Sequence, residues 1–190
     1  LSVAPKLATF AALTRVFGAI FPLSAYDLSA LFAVIAILTM TVGNFTAMFQ
    51  TDVKRLLAYS SIAQAGYLLI GLAVGTPLGR EGVLLYSFVY VAMNIGAFAV
   101  AQAVGSARGS YDLSAFDGLS KHRMGLALSM VFCLLSLGGI PPLAGFMGKF
   151  YIFSSAVQAG QWWLAVAGVL NSVVSVYYYF LIAHRMFFRS

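Results

Sequence analysis

The sequence predicts an all-α polytopic membrane protein of about six transmembrane helices, the fifth of them discontinuous. Three observations carry this. The 190 residues are 62% hydrophobic and only 8% charged, with a mean hydropathy of +0.94, whereas a soluble domain has about 25% charged residues. The apolar runs are continuous and roughly 20 residues long, the length of a bilayer-crossing helix, and do not alternate as the strands of a membrane barrel do. The charges, finally, fall mostly between the runs.

Hydropathy and loop signals place the spans at 1–21, 28–49, 53–74, 82–104, 124–158 and 162–188, in a single transmembrane domain. The first should stop at Pro22, and the third ahead of the turn formed by Gly75, Thr76, Pro77, Leu78 and Gly79. Thr51 or Asp52 can cap the third span. Trp162 and Trp163 open the sixth as an interfacial belt, and Tyr177, Tyr178 and Tyr179 read as packing and interface residues. Segment 105–123 is polar, with Leu113, Phe116 and Leu119 at helical spacing. It reads either as a short amphipathic surface helix or as a plain polar loop. The chain starts without Met inside an apolar run, so residue 1 is expected to be an internal point of a longer protein.

The fifth span is too long for one rod. Its 35 residues, 124–158, would cover about 52 Å as a helix, against a hydrocarbon core of roughly 30 Å. Pro141 and Pro142 remove two backbone donors, and Gly138 and Gly139 loosen the chain beside them. Two half-helices joined by an unwound link are therefore expected at 138–142. The backbone groups freed there must be satisfied within protein or by water, so this element should face the bundle interior.

Orientation follows from the basic residues. Lys54, Arg55, Arg108, Lys121, Arg123, Arg185 and Arg189 fall on one side, whereas Arg80, with Arg15 near a span end, falls on the other. The positive-inside rule assigns the first side, with both ends of the chain, to the cytoplasm. The net charge of +6 is explained in the same way and gives no reason to invoke nucleic acid. One cysteine, Cys133, excludes an internal disulfide, and the two histidines lack the neighbours of a metal site.

Lys149 is the most informative side chain. No other charged residue lies between Arg123 and Arg185. It sits nine residues before Gln158, about 14 Å along a helix and close to the midplane, too deep to snorkel. Removing an amine from water penalises its charged form, so a change in hydration or in a nearby charge can load or unload its proton. Such a residue beside a broken membrane helix points to transport, the alternative being a structural amine bound by the carbonyls of the break. Lys6 is the second candidate for proton transfer. It lies near mid-depth if Arg15 marks the outer interface, and nearer the cytoplasmic face if the helix runs on to Pro22. Ser60, Ser61, Gln64 and Tyr67 in the third span, with Tyr86 and Tyr90 in the fourth, are candidate water-relay residues. Asn94 continues the four-residue spacing of Tyr86 and Tyr90. Such groups also bond between packed membrane helices without any relay role. All five acidic residues, Asp27, Asp52, Glu81, Asp112 and Asp117, fall in loops or at span ends, so no embedded carboxylate can pair with either lysine.

Two stretches resemble a known family. Gly43, Asn44 and Phe45, followed by the run from Gln50 to Tyr67 (QTDVKRLLAYSSIAQAGY), are similar to the central signature of the antiporter-like subunits of respiratory complex I. The run from Leu135 to Phe150 (LSLGGIPPLAGFMGKF) resembles that family's broken helix. The fourth span, from Tyr86 to Phe98, lacks the His…Phe-Lys pattern of two of the subunit types and resembles the third type. The resemblance covers essentially the whole chain. It implies a fold of inverted repeats, each with a discontinuous helix, the present spans matching family helices 8 to 13. Lys6 would then be the central connecting lysine and Lys149 the lysine of the second half-channel. The family's glutamate and first-repeat lysine would precede Leu1, and its last helix would follow Ser190. Many relatives carry His where this chain has Gln64, and an amide can hold water but cannot take a proton. The resemblance further implies a non-redox subunit of a proton-translocating NADH–quinone oxidoreductase in a bacterial plasma membrane. Its partners would be other membrane subunits and the lipid bilayer, and the transported ion a proton. NADH, FMN, iron–sulfur clusters and quinone would be bound by other subunits. A subunit of a multisubunit cation/proton antiporter or membrane-bound hydrogenase, and a purely structural membrane-arm subunit, are the alternatives.

Overall fold

The computed structural model describes residues 3–17 and 28–189. The chain forms α1 (Val3–Arg15), α2 (Leu28–Met48), α3 (Val53–Val74), α4 (Pro77–Arg108), a 3-10 turn (Leu113–Phe116), α5 (Leu119–His122), α6 (Met124–Gly138), α7 (Ala144–Gln158) and α8 (Trp162–Phe188). The expected stop of the first span at Pro22 lies outside the described residues. Helices α2, α3, α4 and α8 are each long and apolar enough to cross a membrane. At 15 residues each, α6 and α7 are about 22 Å long and make one crossing between them. The protein is an all-α polytopic membrane bundle with its fifth span broken.

Local chemistry sets the helix ends. Asp52, not Thr51, caps α3, its carboxylate accepting the Arg55 N–H at 2.8 Å. Gly75 ends α3 at φ 68°, where a side chain would be strained. Thr76 caps α4 by accepting the Gly79 N–H, and Pro77 enters the first turn, where no donor is needed. The fourth helix runs from Pro77 to Arg108, beyond the expected 82–104 at both ends, because the Thr76 cap and Pro77 start it early and Gly109 at φ 71° ends it late.

Helix α3 lies at the centre. In its most apolar window 67% of the residues are buried, against 28% in α2 and 33% in α8. It packs on α2 with backbones almost touching. A Cβ on Gly66 would lie 2.8 Å from Met40 N and 2.9 Å from Ala36 O, and one on Gly43 would lie 2.6 Å from Ala63 N. Small residues permit this approach between membrane helices. Gly66→Leu should therefore separate α2 from α3 and destabilise the full-length protein by about 3 kcal/mol. Thermal unfolding in detergent checks this, and an unchanged midpoint would refute the close packing.

Of segment 105–123, residues 105–108 end α4, and the remainder is neither one amphipathic helix nor a plain loop. It is a 3-10 turn and the single turn α5, separated at Gly118, whose φ is 64°. Its backbone instead bonds to its neighbours. Val53 N donates to Tyr111 O at 2.9 Å, Leu113 N to Thr51 O at 2.8 Å, and Gly118 N to Arg185 O at 3.2 Å. Leu113, Phe116 and Leu119 are buried. Arg108 Nη1 donates to Ala115 O at 2.8 Å and Asp117 O at 2.9 Å, and Arg185 pairs with Asp117 at 3.4 Å. The segment is a strap joining the ends of α3, α4 and α8.

Candidate functional site

The site is built on the helix break. In an unbroken helix the N–H groups of residues 141 and 142 would donate to Leu137 O and Gly138 O. Both residues are proline and have no N–H. Those two carbonyls are taken by side chains instead. Gln64 Nε2 donates to Leu137 O at 3.2 Å, and Lys149 Nζ donates to Gly138 O at 3.4 Å. The remaining groups close locally. Gly139, at φ 81°, donates to Ser136 O at 3.0 Å, and Ile140 N donates to Leu135 O at 3.1 Å. Gly145 N, in the first turn of α7, donates to Ser136 Oγ at 3.1 Å. The Pro141–Pro142 peptide is cis.

Lys149 projects from α7 into the bundle and is 3% exposed. Its ammonium also donates to Ser172 Oγ of α8 at 3.2 Å and lies 4.3 Å from the centroid of the Tyr67 ring. A cation over an aromatic face is attracted by the ring quadrupole, more so away from water. An open groove of about 830 Å³ between α7 and α8, bordered by exposed apolar side chains, runs from Lys149 and Ser172 to Gln158 and Trp162. Its walls are mostly apolar, with Phe150 and Val173 among them.

Gln64 is the hub of a second cluster. Its Oε1 accepts from Tyr86 OH, and its Nε2 donates to Tyr179 OH at 3.1 Å. Tyr179 OH in turn shares a 2.6 Å hydrogen bond with Ser60 Oγ. Hydroxyls both donate and accept, so the Ser60–Tyr179 pair can reverse its polarity, whereas the amide cannot. Lys6 reaches the same helix three residues away, donating to Ser61 Oγ at 2.6 Å and Ser61 O at 3.2 Å. Helix α3 thus touches Lys6 at Ser61, the break at Gln64 and Lys149 at Tyr67, over a rise of about 9 Å.

Of the residues singled out from sequence, Lys149, Gln64, Tyr67, Tyr86 and Ser60 converge around the break. Lys6 and Ser61 form a separate pair. Tyr90 is buried on the same face of α4 as Tyr86, its hydroxyl accepting from Asn94 Nδ2 at 2.7 Å. Sequence reasoning missed Asn44, Ser172, Tyr178 and Tyr179 as polar participants. Asn44 Nδ2 donates to Tyr67 OH at 3.2 Å and to Asn171 O at 3.0 Å, and Asn44 Oδ1 accepts from Tyr178 OH at 2.8 Å. Tyr178 and Tyr179 do pack edge to face, with centroids 4.6 Å apart, but their hydroxyls serve the polar clusters as well. A usable signal was the helical spacing of Ser172, Ser175 and Tyr179. Gln64→Leu should leave Leu137 O without a donor and strand the Tyr86 hydroxyl, while Tyr179 keeps Ser60, lowering stability by about 3 kcal/mol. Thermal unfolding of the full-length protein reads this, and wild-type stability would contradict the geometry.

The fold and site are of the class of polytopic helical membrane bundles with a discontinuous span facing the interior, the arrangement in which membrane transporters place their sites. The comparisons specify it further. The family model described as NADH:quinone oxidoreductase/Mrp antiporter, transmembrane, matches residues 1–175, and the chain belongs to that family. NADH-quinone oxidoreductase subunit N of Trichlorobacter lovleyi is 52% identical over 191 residues, covering 100% of this chain and 39% of that protein. Subunit N of Moorella thermoacetica is 50% identical, over 98% of this chain and 39% of its own length. The chain thus spans about two fifths of these curated relatives. Among solved structures, a chain of respiratory complex I from Thermus thermophilus with bound aureothin is 37% identical with a TM-score of 0.70, over 84% of this chain and 36% of that one. A chain of the Mrp complex from Dietzia sp. superposes with a TM-score of 0.88 at 26% identity, over 95% of this chain and 34% of that one.

Proposed function

We propose that this chain is the second-half-channel portion of a proton-translocating membrane-arm subunit of NADH–quinone oxidoreductase, and that Lys149 carries the proton through it. The observation behind this reading is the Lys149 ammonium, buried at the break and held by Gly138 O, Ser172 Oγ and the Tyr67 ring. The groove beside it runs toward the α7–α8 connection, with Gln158 and Ser154 as its polar groups beyond Lys149 and Ser172. Ser60, Ser61, Gln64, Tyr67, Tyr86 and Tyr90 are the hydrogen-bonding groups that would order water toward Lys6. Redox chemistry, with NADH, FMN, iron–sulfur clusters and quinone, belongs to other subunits of the complex. Both ends of the chain face the cytoplasm of a bacterial plasma membrane, as the basic residues indicate.

One charge moved across 100 mV requires about 2.3 kcal/mol. One pKa unit corresponds to about 1.4 kcal/mol, so a swing of a few units at a buried amine is large enough. The test is the complex reconstituted in vesicles with Lys149→Met, reading quinone reduction and pumped protons separately. Unchanged pumping by a normally assembled complex removes Lys149 from the path. The high TM-score with the Mrp complex favours a second reading, cation/proton antiport. Isolation together with flavin and iron–sulfur subunits supports the first reading, and sodium-dependent exchange without them supports the second. A purely structural subunit would tolerate neutral residues at both Lys6 and Lys149.

A further inference from the structure

Asn44 is an amide on the largely apolar helix α2, and it is fully buried. A polar side chain inside the hydrocarbon is costly unless its groups find partners within the bundle. Asn44 finds them on two other helices. Its Nδ2 donates to Tyr67 OH of α3 at 3.2 Å, and to Asn171 O and Asn171 Oδ1 of α8 at 3.0 and 3.1 Å. Its Oδ1 accepts from Tyr178 OH of α8 at 2.8 Å. These partners fix which way the amide faces. Turned over, its oxygen would meet two acceptors of Asn171. Asn171 is itself held, its Nδ2 donating to Ala167 O at 3.0 Å and to Thr41 Oγ1 of α2 at 3.4 Å.

The bonds of Asn44 end on the groups that receive Lys149. The ammonium rests on Gly138 O, on Ser172 Oγ and over the Tyr67 ring. Gly138 belongs to the same broken span as the lysine. The other two groups belong to α3 and α8, and Asn44 ties both. It holds Tyr67 at the hydroxyl, with the ring 4.3 Å from the amine. The ring also packs edge to face on Phe153, with centroids 6.2 Å apart, but Phe153 lies on the lysine's own helix and moves with it. Ser172 follows Asn171, a step of about 100° round α8. With Asn171 pinned toward α2, Ser172 is turned toward α7, where its hydroxyl meets the ammonium at 3.2 Å.

We propose that Asn44 is the positioning residue of this site, fixing the Tyr67 ring and the Ser172 hydroxyl on which the Lys149 ammonium rests. The effect on pumping rests on the proton-transfer reading of Lys149, whereas the placement of the amine is measured apart from it. Hydrogen bonds between membrane helices also serve packing alone. A packing role acts on the bundle as a whole, and a positioning role acts through Lys149.

The test uses the full-length protein in its assembled complex, as wild type, Asn44→Leu, Lys149→Met and the double variant. Leu keeps the branched outline of Asn and removes its donor and acceptor. Pumped protons are read in vesicles. Access to the amines is read by acetylation with N-hydroxysuccinimidyl acetate, counted by mass spectrometry at Lys149 and at Lys6, which bonds Ser61 and shares none of these partners.

Asn44→Leu should slow proton transfer by on the order of tenfold, the scale of a misplaced reacting group. It should raise acetylation of Lys149 severalfold while Lys6 keeps its wild-type rate. In the Lys149→Met background it should slow transfer no further, because residues that act as a unit are not additive. Wild-type acetylation of Lys149 in Asn44→Leu overturns the proposal, as does a parallel rise at Lys6, the mark of general loosening. An equal loss of pumping with and without Lys149 gives Asn44 a packing role and overturns it too. Should Lys149→Met pump as wild type, the proton-transfer reading fails, and acetylation alone decides whether Asn44 places the amine. If Asn44→Leu does not assemble, Tyr67→Phe removes the hydroxyl that Asn44 holds and leaves the ring. It should raise Lys149 acetylation in the same way, and an unchanged rate refutes the placement.

Discussion

Lys149→Met in the assembled complex should slow proton transfer through this half of the subunit by on the order of 10²-fold, the scale of losing a positioned proton-transfer group, while quinone reduction continues. Met approximates the length and flexibility of lysine without the amine, so the apolar walls from Phe150 to Val173 keep their contacts. The stability change should be small because two terms oppose. Gly138 O loses its donor, at about 1–3 kcal/mol, but a buried ammonium is removed as well, which offsets part of that. The variant should therefore assemble, and pumped protons per electron can be measured with imposed and with collapsed membrane potential. Wild-type stoichiometry under both conditions would leave Lys149 a structural clamp on the break. A second arm, Gln64→His, keeps a donor toward the break and adds a titratable group. It should pump with an altered pH profile, and an unaltered profile would detach this position from the path.

Gly145→Ala should be the most damaging glycine-to-alanine substitution among the described residues. A Cβ there would overlap the carbonyl oxygen of Ser136, which is backbone and cannot rotate away. The two half-helices must then separate, at about 3 kcal/mol, the upper part of the usual range for overpacking. The Gly145 N–H also leaves Ser136 Oγ. Lys149 is four residues further along α7, so the same displacement draws its ammonium off Gly138 O. Both a lower unfolding midpoint and impaired pumping are expected, and a protein normal in both would refute the close contact at the break.

Much of this arrangement was legible in the sequence, for identifiable reasons. The break followed from a mismatch of lengths, 35 residues against roughly 30 Å of hydrocarbon, with two prolines where the excess had to be resolved. Lys149 stood out because no other charge lay near it. The partners were not legible. Ser60 meets Tyr179 across 119 positions and Asn44 meets Tyr178 across 134, and spacing within one helix does not encode how two helices are rotated against each other. The strap was left between two readings for another reason. The three-residue spacing of Leu113, Phe116 and Leu119 suits a 3-10 turn as well as an α-helix, and the bonds from 111 and 113 to residues 51 and 53 leave no trace in local pattern.

The end of α6 has an electrostatic consequence. A helix C-terminus carries roughly half a negative charge, concentrated on its last carbonyls, and Lys149 bonds one of them. The counter-charge of this lysine is therefore a row of peptide dipoles. A carboxylate in that place could accept a proton and cancel its own charge, whereas peptide carbonyls hold theirs at any physiological pH. Lys149 faces a field that does not titrate. On the proposed path, this chain's own groups would set the charge of Lys149 through where the amine points and the water that reaches it.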